Sequence, residues 1–210
     1  MINTEWYSIR TLTLPATAVA LLITFFIVWL ILRLQFSKRL SELYNDAIFT
    51  FIIVWKLSLL VTDFRTVISN PITLLYFNGG TMGVYLGVIV ASLQIWRKRQ
   101  RLQLEEQEIL AGSWAIILTQ SIYQMLAVLL NDNNTSSEVI TLAVLSVVTL
   151  LILWKLIAVK QALLLYTLSY LIVAFLQPLG IWQTAVAVSL ILLSLGLIIQ
   201  HERINGGGKK

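Results

Sequence analysis

The sequence predicts an all-α membrane protein, a bundle of seven transmembrane helices with its N-terminus outside and its C-terminus in the cytoplasm. Three observations predict it. Of 210 residues, 58% are apolar and 12% charged, against roughly 45–50% and about 25% in soluble domains. The apolar residues arrive in runs close to the roughly 20 that a helix needs to cross a hydrocarbon core about 30 Å thick. The basic residues collect on alternate loops, and such loops stay on the cytoplasmic side.

The spans fall at residues 14–34, 45–62, 80–96, 109–130, 138–159, 162–176 and 181–200. The first has no small-residue cleavage motif and runs into Arg33, so it is expected to remain as a helix rather than leave as a signal peptide. Lys38 and Arg39 precede the second span, and the third ends in Arg97, Lys98, Arg99 and Arg101. An outer polar loop at residues 131–137 separates the fourth span from the fifth. The sixth is short and would need a locally thinned bilayer or cover from its neighbours. With the N-terminus outside, the inner loops hold Arg33, Lys38, Arg39, Arg97, Lys98, Arg99, Arg101, Lys160, Arg203, Lys209 and Lys210. Only Arg10 and Arg65 fall in outer segments. Residues 1–204 are expected to form a single transmembrane domain and 205–210 a flexible basic tail.

Composition also narrows the chemistry. Without cysteine there are no disulfides, thiolate metal sites or thiol nucleophiles, and the one histidine, His201, lies beyond the last apolar run. No metal, cofactor or catalytic residue is therefore expected. The net charge of +5 reflects membrane topology, not nucleic-acid binding.

Ionisable groups within a bilayer are expensive, so each is a functional hypothesis. Lys56 is placed about eleven residues from the inner end of its span, roughly 16 Å deep. It is either a cationic anchor for a phosphate or carboxylate or a structural partner of Asp46 or Asp63. Lys155 is closer to a boundary, where its side chain reaches headgroups. Gly79, Gly83 and Gly87 form a helical stripe at spacing four. It permits close helix packing, or its outer end, with Asn78, Gly79 and Gly80, cradles a lipid phosphate. Pro71 opens a semi-apolar stretch at residues 72–77, expected in the interface, and Arg101 stands at helical spacing from Glu105.

Lys56, the run from Asn70 and Pro71 to Asn78-Gly79-Gly80, Gly83, Gly87 and the basic inner loop together resemble the bacterial prolipoprotein diacylglyceryl transferase family over residues 14–101. The resemblance implies seven spans in the same orientation, a bacterial plasma-membrane location, and phosphatidylglycerol and lipoprotein as partners. Lys56 takes the place of a family arginine, which removes the planar guanidinium suited to phosphate. Met82 stands where the family has a required histidine. Residues 120–127 replace an arginine-containing signature, and Tyr166 and Tyr170 lack the arginine that follows the tyrosine of the family motif. Acyl-glyceryl transfer to a thiol needs a base and phosphate-holding cations. The expected function is accordingly a non-catalytic homologue that binds phospholipid, lipoprotein or a membrane partner through Lys56, Asn78, Gly79, Gly80, Tyr85, Tyr123 and Tyr166. The alternatives are a transferase with a rearranged site and a small-solute permease.

Overall fold

The computed structural model describes residues 5–9, 12–76, 78–102, 106–132, 134–154, 158–177 and 180–206. It is all-α apart from one short hairpin, in two compact units, one built on Met1–Ser37 and Glu105–Lys210 and the other on Lys38–Leu104.

The larger unit begins with a feature absent from the sequence expectation. Strands β1 (Trp6–Ile9) and β2 (Leu12–Pro15) pair antiparallel, with Trp6 opposite Pro15. Tyr7 donates its hydroxyl to the Leu130 carbonyl, 3.1 Å away. Pro15 is extended (φ −66°, ψ 148°), so helix α1 (Ala16–Gln35) starts two residues later than expected. Ala16, Ala20, Thr24, Val28 and Leu32 are buried at spacing four, the stripe α1 lays against α7 (Glu106–Leu129). The unit continues with α8 (Thr135–Leu153), α9 (Val159–Leu176), a single 3-10 turn at Gly180–Trp182 and α10 (Thr184–Gly206). Helix α7 touches α1, α8, α9 and α10. It is therefore buried on several faces, from Ala111 and Ala115 to Ala127 and Val128.

Three boundaries differ from expectation for identifiable reasons. Helix α8 starts at Thr135 rather than 138 because the Asn134 side chain accepts the Ser136 amide at its N-terminus. It ends at Leu153, and α9 takes up the chain at Val159, which gives the sixth span 18 residues and a full crossing length. Lys155 and residues 207–210 of the expected tail lie outside the described residues, while Asn205 and Gly206 belong to α10.

In the smaller unit, α2 (Lys38–Leu57) includes the charged turns that precede the expected span, and α3 (Leu59–Thr62) follows it. The interruption at Ser58 has a local cause. The Trp55 carbonyl accepts both the Ser58 hydroxyl at 2.7 Å and the Gly79 amide at 3.1 Å, so the helical ladder is diverted there. Helix α4 (Phe64–Ser69) is capped by Asp63, α5 (Thr73–Tyr76) follows Pro71, and α6 (Gly80–Leu102) packs along α2. Phe77 and Glu105, with the expected Arg101–Glu105 pair, lie outside the described residues.

Among the described residues, five helical stretches are long and apolar enough to cross a membrane: Ala16–Gln35, Lys38–Thr62, Gln107–Leu129, Thr135–Leu153 and Val159–Leu176. Helix α6 is not among these five, and the apolar part of α10, Thr184–Ile199, is shorter. The distribution of side chains fits the same environment. On α9 the outward residues are Leu164, Leu168, Ile172 and Phe175, the last 74% exposed, while Tyr166, Thr167 and Tyr170 are buried. An apolar surface of that extent is costly in water and free in lipid. Trp154 and Trp182 are exposed at helix ends, where indole rings suit the membrane–water interface.

Candidate ligand-binding site

The sequence-predicted residues divide between the units: Lys56, Asn78, Gly79, Gly80 and Tyr85 in the smaller, Tyr123 and Tyr166 in the larger.

In the smaller unit the glycine stripe faces α2. A Cβ at Gly83 would meet Ser58 Oγ, Trp55 Cδ1 at 2.9 Å and the Trp55 carbonyl at 3.0 Å; one at Gly87 would meet Phe51 Cδ2 at 2.9 Å. The stripe brings two helix backbones together. Gly80 has φ +56°, a conformation glycine adopts without strain, and its amide donates to Asn78 Oδ1 at 2.9 Å. Since the Gly79 amide is bonded to Trp55, both loop amides are engaged within the fold. Lys56 lies in the last turn of α2, six residues before Thr62, so its backbone is about 9 Å of helix from that end, the outer end that the sequence also assigns to the span. Of the two proposed carboxylate partners, Asp46 forms an ion pair with Lys98, and Asp63 accepts the Thr66 amide at 3.4 Å. Tyr85 is half-buried on α6.

The larger unit holds a second constellation. Thr149 and Ser121 share a hydroxyl–hydroxyl bond of 2.8 Å, and Ser146 donates to Met125 Sδ at 3.4 Å. The opposite residue order of these contacts makes α7 and α8 antiparallel. Ser189 Oγ lies 2.9 Å from Gln120 Oε1, tying α10 to α7. Beyond the end of α9, Gln177 donates to Thr141 at 3.0 Å and accepts from Gln183 at 2.9 Å. All these groups except Ser146 and Met125 are buried. Interhelical bonds of this kind hold a bundle together in lipid, where no apolar driving force between helices exists.

Among the described residues, the buried polar atoms without a partner are Trp55 Nε1, Ser92 Oγ and Gln94 Oε1 in the smaller unit, and Gln124 Nε2, Tyr166 Oη and Tyr170 Oη in the larger. The latter three are carried by α7 and α9, which touch. The rings of Tyr166 and Tyr170 are nearly parallel, with centroids 6.4 Å apart. Tyr123 stands on α7, and Tyr166 and Tyr170 on α9. Gln124, Tyr166 and Tyr170 are each at most 3% exposed. They stand at least five residues, about 7 Å, from their helix ends.

Sequence reasoning selected Tyr123 and Tyr166 but not Gln120, Ser121, Gln124, Thr149, Tyr170 and Ser189 as site residues. The available signal was spacing: Gln120, Ser121 and Gln124 share one side of a helix, as do Tyr166 and Tyr170. Thr149 and Ser189 are single polar residues in apolar runs and carry no comparable pattern.

Helix length and composition make this chain a multi-pass membrane protein. It matches no protein-family model, no curated protein and no solved structure.

Proposed function

We propose that the chain is a multi-pass protein of a bacterial plasma membrane, N-terminus outside and C-terminus inside, which binds a membrane lipid without transforming it. The observation that carries this reading is the buried polar layer of the larger unit. It is made of hydroxyls and amides, with no carboxylate, imidazole or ammonium among the side chains named, and three of its groups lack partners. Such a layer can hold a ligand by hydrogen bonds but offers no acid–base pair for chemistry. For a phospholipid, the ligand that the transferase resemblance suggests, the smaller unit by itself offers Lys56, in the last turn of α2.

Native mass spectrometry of the detergent-purified protein tests the reading. A lipid-mass adduct is expected on the unmodified chain, and Gln124→Leu should reduce its occupancy about tenfold through loss of the amide contact, worth about 1.4 kcal/mol. No adduct, or an adduct unaffected by that change, contradicts a ligand in the layer.

A small-solute permease is the second reading. The Gln183–Gln177–Thr141 bonds near one end of the larger unit and the Ser121–Thr149 bond deeper within it favour this reading. Solute uptake into proteoliposomes, absent from protein-free vesicles, would distinguish it from static lipid binding.

A further inference from the structure

The chemistry of the unpartnered groups narrows the ligand, taking the polar layer as a binding site. Gln124 Nε2 is a donor only, and each tyrosine hydroxyl has a proton to donate. What answers them is an acceptor. A carboxylate or phosphate would bring a net charge into the bundle with no cation among the layer's named side chains, an arrangement that strongly disfavours the charged form. A neutral carbonyl oxygen, by contrast, offers two lone pairs and carries no charge. The approach matters as well. The outward face of α9 is Leu164, Leu168, Ile172 and Phe175, a surface suited to acyl chains, so a molecule that reaches the bundle from the surrounding lipid has to be soluble in it.

We infer that Gln124, Tyr166 and Tyr170 form a donor site for an uncharged, membrane-soluble molecule bearing carbonyl oxygens, either a lipid ester or a quinone. The two tyrosines present their hydroxyls from α9 and Gln124 its amide from α7, and each carbonyl oxygen of the ligand answers at most two of these donors. A ligand that supplies these bonds satisfies groups that otherwise remain unpaired in the bundle.

The test measures binding to the full chain in detergent with four probes: decylubiquinone, monooleoylglycerol, its ether-linked counterpart, and phosphatidylglycerol. Decylubiquinone or monooleoylglycerol is expected to bind, which distinguishes a quinone from an ester. The ether, which keeps the shape and loses the carbonyl, should bind at least tenfold more weakly than the ester if the ester is the ligand. Tyr166→Phe and Tyr170→Phe remove one hydroxyl each and should each weaken binding of the preferred carbonyl probe about fivefold. Binding of phosphatidylglycerol in preference to both uncharged carbonyl probes, weakened by the two Phe variants, would overturn the carbonyl assignment while leaving a ligand in the layer. Equal binding of ester and ether with no quinone binding would overturn it too, without any variant that has to fold. Failure of every probe, together with Phe variants that melt at higher temperature than the unmodified chain, would overturn both this inference and the binding role on which it rests.

Discussion

Gly83→Leu is expected to break the pairing of α2 with α6. The first atom added already falls against Ser58 Oγ, Trp55 Cδ1 and the Trp55 carbonyl, and the carbonyl belongs to a backbone already fixed by the Ser58 hydroxyl and the Gly79 amide. A leucine brings three carbons more. Overpacking of this kind costs about 3 kcal/mol, a large part of the roughly 5–15 kcal/mol that holds a domain folded. Thermal unfolding in detergent followed by circular dichroism should show a lower and broader transition. Gly112→Leu is the control, because a Cβ there meets nothing within 4 Å. Equal melting of the two variants would mean that the glycine stripe does not set the approach of α2 to α6.

Gln177→Leu is the second large effect, in the other unit. The glutamine donates to Thr141 and accepts from Gln183, and all three side chains are buried. Leucine fills a similar space but leaves the Thr141 oxygen without that donor and takes from the Gln183 amide its acceptor at position 177. One stranded buried group costs about 1–3 kcal/mol, so a loss of about 2 kcal/mol is expected in the same unfolding experiment. Adding Thr141→Val should recover part of it, because removing both partners of a buried hydrogen bond costs less than removing one. A double variant no more stable than Gln177→Leu alone would show that this bond is not what ties α9 to α8.

Five of the seven expected spans were legible because crossing a membrane demands length and apolarity together, and both are linear properties of sequence. The packing role of Gly79, Gly83 and Gly87 was legible as a spacing, but its partner was not. Nothing in the sequence says that Phe51, Trp55 and Ser58 stand opposite. The start of α8 could have been read from Asn134, a preferred capping residue, whereas the break at Ser58 depends on an amide supplied by Gly79, more than twenty residues away. The hairpin at Trp6–Pro15 escaped notice because four-residue strands carry too short a pattern to distinguish from a loop. Lys56 drew attention as the charge in an apolar run, a strong signal under bilayer energetics. Gln124 and Tyr170 are neutral, so their importance rests on what surrounds them, and that is a property of the folded bundle.

The topology is tested most directly by unique cysteines, since the native chain has none. Asp132→Cys places a thiol between α7 and α8, and Arg101→Cys places one on the exposed basic end of α6. With a membrane-impermeant maleimide, the account predicts that Asp132→Cys is labelled in intact cells and Arg101→Cys only after the membrane is opened. The reverse pattern, labelling of both in intact cells, or recovery of the protein in the soluble fraction would contradict it.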